Sequence, residues 1–294
     1  MCPTSATTAE ADRAAVADFA HTLAFLNDAS LGVFGAGHLG RTIAAGLLQS
    51  GFPVNRLRIC HGGSPQTAAS LAAAGLSPSV VDARELTRQS RVILYLVRPQ
   101  GLDAIAGCEL YPDSLIVSFL AGVPLERIPV DIPHNDRVRL MPSPPDTIAK
   151  GMAIAGIFPR GNPIVRELLD ALRIEQFPLN RESDIHAFTA LGVCLPIMLA
   201  CARALGRSAA DGELRECARE HALPNYDRIL QWAHLAEPKF ATDAERESYV
   251  QKAATPGGVT EAMLSRIKGG GNITESMEAG ILRSQKLSRG PREA

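Results

Sequence analysis

The sequence predicts an α/β protein in which a doubly wound, mostly parallel sheet is followed by an all-helical domain. Three observations predict this. Short β-rich runs alternate with helical stretches in the first half, a glycine-rich turn follows the first strand, and helical spacing fills the second half. The expected boundaries are an N-terminal extension at 1–28 that forms one amphipathic helix, a sheet domain at 29–160 and a helical domain at 161–294.

The strands of the sheet are predicted from short apolar runs in the first half. Parallel strands are buried on both faces and are therefore apolar along their whole length rather than alternating. Runs of this kind occupy 31–34, 57–60, 91–97, 114–120, 137–142 and 151–159, and a further short strand is expected at 80–82.

Helical spacing predicts the elements of the second half. The stretches are 162–174, 182–206, 211–223, 244–254, 257–270 and 273–287. The stretch from Ile185 to Leu205 is apolar on more than one face, and such a helix needs more burial than a thin monomeric layer supplies. We therefore expect a homodimer built through these C-terminal helices.

Composition and charge limit the classes of function. The chain of 294 residues is 46% hydrophobic and has a net charge of −1, so it offers no concentrated basic charge for nucleic acid or anionic membranes. The longest apolar run contains Pro196 and is too short to span a bilayer, and residues 1–10 do not resemble a secretory signal. The six cysteines lack CxxC spacing and the seven histidines lack paired-ligand spacing. We expect reduced thiols, a cytoplasmic location and no metal.

The segment VFGAGHLG places glycines between the first strand and the next helix. Gly35 can make the tight turn, Gly37 can let the backbone approach a pyrophosphate, and Gly40 can allow close helix packing. Unpaired amides at the helix start bind phosphates. The sequence therefore predicts a dinucleotide site formed by Gly35, Ala36, Gly37, His38, Leu39 and Gly40. The alternative is a tight strand-to-helix turn without a ligand.

The end of the second strand indicates which dinucleotide binds. An NAD site usually carries an acidic residue there for the ribose 2′-hydroxyl, and the segment CHGGSPQ has none. Gly62, Gly63 and Ser64 leave space and donors for a 2′-phosphate, and Arg41 or Arg58 can supply positive charge. NADPH is therefore the expected coenzyme, with NADH as the alternative. The other interpretation is that this loop is only solvated.

A second helix start lies within the segment ATPGGVT. Thr255 can serve as N-cap and Pro256 suits the first helical position, while Gly257 and Gly258 expose backbone amides. A helix N-terminus carries about half a positive charge, which favours an anionic group. We expect these four residues to bind a substrate carboxylate. The alternative is a plain capped helix start.

Several segments, taken in order along the chain, resemble the pyrroline-5-carboxylate reductase family. The glycine turn resembles the family's opening loop, and ATPGGVT resembles its signature Thr-Ser-Pro-Gly-Gly-Thr-Thr. The other similar segments are YLVRPQ, IVSFLAGVPLERI, RLMPSPPDTIAKGM and ILRSQKL, so that the resemblance runs from Leu31 to Leu287.

This resemblance implies a reductase that uses NAD(P)H, with a Rossmann-type dinucleotide-binding domain and a helical dimerisation domain that binds the substrate. Assembly of dimers into higher oligomers is common in the family. Thr260 matches a threonine that hydrogen-bonds the substrate near its imine nitrogen, and Thr189 is also carried over as catalytic. The coenzyme contacts carried over from the matching segments are Val97, Arg98, Pro99, Ala121, Gly122 and Met141.

The sequence departs from the family on the substrate side. Where the family has Ser-Gly-Ser-Gly, this chain has Gly192-Val193-Cys194-Leu195, although Thr189 and Pro196 are kept. Each buried methylene contributes about 0.8 kcal/mol of transfer free energy, so we expect a tighter and more apolar pocket wall. Glu182 lies where some members place an acidic substrate contact, and the alternative is a solvated glutamate at a helix start.

These observations predict an NADPH-dependent reductase of a cyclic imino acid, either pyrroline-5-carboxylate or a closely related ring. Two alternatives remain open from the sequence. One is a reductase of a different imine in secondary metabolism. The other is a dinucleotide-binding regulatory protein without turnover.

Overall fold

A single seven-stranded sheet forms the centre of the computed structural model, which describes residues 19–133, 136–207 and 210–289. Its strand order is β2-β1-β3-β4-β5-β6-β7. Neighbouring strands are parallel except for the antiparallel pair β5 and β6. The strands are β1 Ser30–Phe34, β2 Leu57–Cys60, β3 Ser90–Tyr95, β4 Leu115–Ser118, β5 Arg137–Pro142, β6 Ile154–Phe158 and β7 Glu175–Pro178.

Helices cover the sheet and form most of the second half. Within the described residues they are α1 Ala20–Leu26, α2 His38–Gln49, α3 Pro65–Ala73, α4 Ala83–Gln89, α5 Pro145–Ala149, α6 Pro163–Ala171, α7 Ile185–Phe188, α8 Leu195–Ala204, α9 Asp211–Glu220, α10 Tyr226–Ala236, α11 Asp243–Ala253, α12 Val259–Lys268 and α13 Ile273–Ser288. A π-helical turn at Thr189–Val193 joins α7 to α8.

The expected helical extension at 1–28 is represented by α1. The amides of His21 and Thr22, in the first turn of α1, donate to the Glu167 carboxylate on α6 at 3.0 and 2.6 Å. This carboxylate caps a helix N-terminus from another element, which fixes α1 against the sheet layer. Residues 1–18 of the predicted extension lie outside the described part of the chain.

The short strand expected at 80–82 is reduced to a single parallel bridge between Ile59 and Val80. The segment cannot extend further because Asp82 is the N-cap of α4, where its side chain accepts the Glu85 amide at 2.8 Å. With this bridge outside β2, the first half has the strand order typical of dinucleotide-binding sheets.

The sheet ends later than the boundary expected at residue 160. Strand β7 pairs with β6 in parallel, and the Leu179 amide donates to the Ile157 carbonyl at 2.9 Å. Helix α6 packs its apolar residues into the same core as β1 and β3. The sheet unit therefore runs to Pro178, and the helices follow it. Sequence spacing did not reveal β7 because its residues, Glu-Gln-Phe-Pro, have only one buried apolar side chain, that of Phe177, and form no apolar run.

The π turn and α8 form the apolar centre of the helical part. Residues 184–202 are all buried within the single chain except for Val193. Pro196 lacks the amide that would continue the hydrogen-bond ladder, and the two helical pieces meet at 41°. The neighbouring α12 and α13 pack closely, since a Cβ atom placed on Gly280 would lie 2.6 Å from the Met263 side chain.

This burial changes the argument for a dimer. The apolar stretch from Ile185 to Leu205 is expected to need a partner chain, but helices of the same chain already cover residues 185–202 of it, and only its end, with Leu205 at 48% exposed, remains open. The homodimer therefore stays a prediction. Within the described residues no single helix has the length and hydropathy needed to cross a membrane, and one bent pair, Glu182–Val193 with Leu195–Ala204, meets those two criteria.

Polar contacts join the helical part to the sheet unit. The only tryptophan of the chain, Trp232 on α10, donates its indole N–H to the Met152 carbonyl at 2.6 Å. Tyr249 on α11 donates to the Asp146 carboxylate of α5 at 3.3 Å. Helix α10 had not been identified from the sequence.

Candidate functional site

The predicted coenzyme residues lie together at the carboxyl edge of the parallel strands. The Leu96 amide donates to the Phe34 carbonyl at 2.8 Å, and the Phe119 amide donates to the Tyr95 carbonyl at 2.9 Å. The ends of β1, β3 and β4 are therefore level. The chain passes from β1 to β2 on one side and to β3 on the other, so this edge contains the switch point where such sheets bind ligands.

The three glycines of the first turn have different surroundings. A Cβ atom placed on Gly35 would lie 2.6 Å from the Leu96 carbonyl carbon, and one on Gly40 would lie 2.1 Å from the Gly35 carbonyl oxygen. Gly35 also has a φ of +114°, which side chains rarely adopt. No described atom lies within 4 Å of a Cβ placed on Gly37. Gly35 and Gly40 are thus required by the protein itself, whereas Gly37 leaves open space on the ligand side.

The start of α2 provides donors for an anion in that space. Gly37 is the N-cap, and the first intrahelical bond runs from the Arg41 amide to the Gly37 carbonyl. The amides of His38, Leu39 and Gly40 precede that bond and have no backbone acceptor within the helix. No acidic side chain lies in the first turn. The glycine turn and these three free amides, together called the phosphate cradle, therefore fit a pyrophosphate.

The loop after β2 contains the expected room for the adenosine ribose. Gly63 has a φ of +80°, and its amide donates to His61 Nδ1 at 3.1 Å. Ser64 is the N-cap of α3, and its hydroxyl caps no backbone amide there. Of the two arginines considered, Arg58 donates to Gln89 and to carbonyls at the strand start, so it is committed elsewhere. Arg41 contacts the cradle through the Ala36 carbonyl at 3.3 Å.

The other predicted coenzyme contacts follow β3, β4 and β5. Val97 lies next to the glycine turn, because a Cβ on Gly35 would be 2.8 Å from its amide nitrogen. Arg98 and Pro99 are exposed beside it, and Ala121 is half-buried after β4. Gly122 has a φ of +71°, and a Cβ there would lie 2.6 Å from Leu287 Cβ on α13. Met141 is buried in the core shared with the helical part.

The start of α12 differs from the expectation for Thr255 and Pro256. The helix begins at Val259 with Gly258 as N-cap, so Thr255 is not the N-cap and Pro256 is not the first helical residue. The Gly258 amide donates to the Thr255 carbonyl at 2.8 Å, and Gly257 has a φ of +70°. Proline followed by a glycine of positive φ is the signature of a type II turn. The turn therefore requires Gly257, and it also favours Gly258, because a Cβ there would lie 2.8 Å from the Thr255 carbonyl oxygen.

The amide of Gly257 is also not bare. It donates to the Glu261 carboxylate at 2.7 Å, while the Gly257 carbonyl accepts from Arg283 Nε at 2.6 Å. The first α-helical bond at this end comes from the Ala262 amide. The donors that remain without a backbone acceptor are therefore the amides of Val259, Thr260 and Glu261, one turn later than expected.

Thr260 lies against the segment that departs from the family pattern. Its Oγ1 is 3.5 Å from the Cys194 sulfur, and Thr260 is half-buried. Burial raises the pKa of the Cys194 thiol to about 11, so it stays neutral and protonated. Thr189 is buried, and its hydroxyl donates to the Ile185 carbonyl of its own helix at 2.6 Å. Thr260 is thus the more available of the two predicted threonines.

Glu182 is engaged in an internal ion pair. Its Oε1 accepts from Arg139 Nη1 at 2.9 Å and from the Leu125 amide at 2.8 Å. It is not a solvated glutamate, because Arg139 on β5 is only 1% exposed and needs a counter-ion. A contact between Glu182 and the substrate stays a prediction.

Sequence reasoning missed the buried groups next to this pair. The Arg139 Nε and Nη2 atoms have no described hydrogen-bond partner. His186 Nδ1 lies 2.8 Å from the Ser284 hydroxyl of α13, and burial with the nearby Arg139 lowers the pKa of His186 to about 4. The signal in the sequence is His186 itself, an ionisable residue within an otherwise apolar helical stretch.

A large groove of the described chain lies elsewhere. It has a volume of about 1000 Å³ and is lined by the outer faces of α2 and α6, including Gln49, Arg166 and Glu167. The glycine turn, Thr260 and Cys194 do not line it. Size alone therefore does not identify the candidate site.

Comparisons with known proteins agree with this geometry. The family described as NADP oxidoreductase coenzyme F420-dependent matches residues 30–122. Pyrroline-5-carboxylate reductase from Synechocystis is 30% identical over 220 residues, covering 71% of this chain and 79% of that protein. The enzyme of the same name from Pseudomonas aeruginosa is 26% identical over 86% of this chain and 95% of its own.

A solved structure shows the same fold. The 1-pyrroline-5-carboxylate reductase from Streptococcus pyogenes superposes with a TM-score of 0.54 at 18% identity, covering 88% of this chain and 98% of that chain.

Proposed function

The chain belongs to the pyrroline-5-carboxylate reductase family, and from this premise we propose that it reduces the C=N bond of a cyclic imino acid with NADPH. It is an oxidoreductase that uses NAD(P)H. The finer assignments, NADPH rather than NADH and pyrroline-5-carboxylate or a close analogue as substrate, are the proposal.

One observation carries the coenzyme part of the proposal. Gly35 and Gly40 are closed in by protein atoms, whereas a Cβ on Gly37 would point into open space beside unpaired amides. A backbone that approaches a pyrophosphate needs this arrangement, in which the outer glycines allow close packing and the middle one leaves room for the ligand. The preference for NADPH rests on the loop from His61 to Ser64, which lacks a carboxylate, and on Arg41 beside the cradle.

The chain supplies positioning and a neutral polar environment for the reaction. Reduction of an imine places a hydride on carbon and a proton on nitrogen, and the bound coenzyme would supply the hydride. The Thr260 hydroxyl is the proposed contact of the ring nitrogen. Cys194 beside it is not a proton source, because its raised pKa keeps the thiol protonated. A ring that arrives as an iminium already carries the proton.

The carboxylate of the substrate is proposed to bind at the start of α12. The free amides there are those of Val259, Thr260 and Glu261, and Arg283 adds positive charge beside Gly257. In this proposal Thr255, Pro256, Gly257 and Gly258 shape the turn that presents those amides.

The surroundings of Cys194 favour a different substrate for the same reaction, the reduction of a C=N bond. It is buried and contacts Thr260 where the family pattern has a small polar residue, so the pocket wall is more apolar. A substituted or six-membered ring has more apolar surface than pyrroline-5-carboxylate and would match the polarity of such a wall better. We also propose that the reaction takes place in the cytoplasm, in a homodimer formed through the C-terminal helices.

The test is NADPH oxidation with a panel of cyclic imino acids. We expect turnover with at least one ring, and at least tenfold lower kcat in Thr260→Ala with little change in coenzyme affinity. Gly37→Asp should weaken NADPH binding at least a hundredfold, because a carboxylate would face the pyrophosphate. Gly212→Asp, at a position where an added Cβ also meets no described atom, is the matched control. NADPH binding without turnover on any ring would favour a regulatory protein.

A further inference from the structure

Three potential metal-binding side chains meet where α9 contacts α13, apart from the coenzyme edge. They are Cys217 and His221, which lie one helical turn apart, and Glu278 of α13. The His221 amide donates to the Cys217 carbonyl at 3.2 Å, so both side chains leave the same face of α9. Within the described residues this is the one group of its kind.

The donor atoms of this group converge. The Cys217 sulfur is 3.1 Å from Glu278 Oε1, and His221 Nε2 is 2.8 Å from the same oxygen. All three donor atoms lie within 4.8 Å of one another. Ligands of a tetrahedral ion with bond lengths of about 2.0–2.3 Å are separated by roughly 3.3–3.6 Å. Shifts of up to about 1.5 Å would therefore bring the donors to that spacing.

The setting is partly enclosed. Cys217 is 2% exposed, whereas the side chains of His221 and Glu278 are 25% and 37% exposed. An ion would thus reach the site from the His221 and Glu278 side.

A second observation also points to an incomplete set of contacts here. The Tyr226 hydroxyl on α10 is buried and has no hydrogen-bond partner in the described chain. Tyr226 and Cys217 belong to the same buried cluster, in which α10 packs against α9. Buried hydroxyls normally have a partner, and a water on a bound ion would provide one.

We propose that Cys217, His221 and Glu278 bind one Zn²⁺ ion, with water completing a tetrahedral site. Sulfur, imidazole and carboxylate donors together suit a borderline-soft cation and are unsuited to Mg²⁺ or Ca²⁺. Paired ligands at i and i+4 on one helix are a known zinc arrangement. The proposal does not depend on the reductase assignment.

The site would fix α13 to α9. Helix α13 also carries Arg283, which contacts Gly257, and Leu287, which packs against Gly122. An ion on Glu278 would therefore restrain the helix that touches both the α12 turn and the loop after β4. We infer a structural role for the metal rather than a catalytic one, because none of its ligands contacts Thr260 or the glycine turn.

The sequence predicts no metal, because the cysteines lack CxxC spacing and the histidines lack paired-ligand spacing. The third ligand lies 57 residues beyond His221 in the chain and is brought to it only by the packing of α13. Sequence spacing carries no signal for such a contact.

The experiment uses full-length protein freed of metal with a chelator, then titrated with Co²⁺ and with Zn²⁺ against a chromophoric competitor. We expect one equivalent per chain, a thiolate-to-cobalt charge-transfer band in the near ultraviolet, and displacement of Co²⁺ by Zn²⁺. Cys217→Ser should abolish the band, and His221→Asn and Glu278→Gln should each weaken Zn²⁺ binding at least tenfold.

Cys108→Ser is the matched control, because Cys108 is the more accessible free thiol and lies outside the cluster. Its band and affinity should equal those of the wild type, and circular dichroism should confirm that every variant is folded. A band that survives in Cys217→Ser, or Zn²⁺ binding unchanged in Glu278→Gln, would overturn the proposal. So would the absence of any stoichiometric Zn²⁺ binding.

Discussion

At the scale of single residues, the Arg139–Glu182 ion pair couples β5 to the first helices of the second half. Arg139 is almost fully buried and Glu182 is its only described hydrogen-bond acceptor. Burial lowers the pKa of Arg139, and Glu182 opposes this. A buried ion pair contributes little net stability, but removal of one partner leaves an uncompensated charge.

Glu182→Gln should therefore lower the free energy of unfolding by about 3 kcal/mol. Glutamine keeps an oxygen that can accept from the Leu125 amide. The decrease in the free energy of unfolding therefore reports the loss of the negative charge alone. Urea denaturation provides the measurement. The double variant Arg139→Met with Glu182→Gln should regain most of the loss, and equal destabilisation in both variants would contradict this explanation.

His186 makes stability depend on pH. Its pKa falls from 6.5 to about 4 in the folded chain because of burial and Arg139, so the unfolded chain binds the proton more readily. The contribution is fully present above about pH 6.5 and is lost as the pH falls towards 4. We expect a loss of about 3 kcal/mol over this window, relative to His186→Asn, which keeps a partner for Ser284. If the free energy of unfolding depended on pH in the same way in the wild type and in His186→Asn, this prediction would be refuted.

At the scale of elements, the start of α12 combines a turn with a self-made cap. The type II turn requires Gly257 and favours Gly258, and Glu261 reaches back to the Gly257 amide. The Glu261 carboxylate that caps this end is negatively charged, and so is the substrate carboxylate that we propose to bind there.

Glu261→Gln should therefore lower KM for an anionic imine about threefold, which corresponds to ~0.6 kcal/mol of removed repulsion, with kcat nearly unchanged. Steady-state kinetics at low and moderate salt provide the measurement, and the effect should shrink as salt increases. Glu245→Gln, on the exposed α11, is the control. A rise in KM would instead mean that the cap positions the amides.

The elements also show how far the sequence could be interpreted. The strand β2, the glycine turn and β5 were placed correctly because apolar runs and turn residues are local signals. Strand β7 and the start of α12 were not, since the first depends on pairing with β6 and the second on a turn that imitates a helix start. Candidate residues held by long-range contacts, such as Glu182 with Arg139 and Cys217 with Glu278, could not be assigned from spacing.

At the scale of the whole molecule, α13 connects the two parts of the chain. It contacts His186 through Ser284, the α12 turn through Arg283 and the loop after β4 through Leu287. Its exposed face also carries Leu282, which is 62% exposed. That residue is the natural place to test association of two chains.

We expect a homodimer by light scattering, with a mass twice the 31.3 kDa of one chain. Leu282→Glu should shift the equilibrium towards monomer, because a charge would replace an apolar contact. Val54→Glu changes a similarly exposed apolar residue beside the sheet and should leave the mass unchanged. A wild-type mass of one chain would exclude the dimer.

The single tryptophan gives these experiments an optical reporter. Trp232 is 7% exposed and hydrogen-bonded to the Met152 carbonyl. Its fluorescence therefore reports on the contact between α10 and the sheet unit, with no signal from other tryptophans. Indole fluorescence overlaps the absorption of a reduced nicotinamide ring. Energy transfer from Trp232 can therefore follow coenzyme binding, and a red shift of the emission can follow separation of α10 from the sheet, both without an added dye.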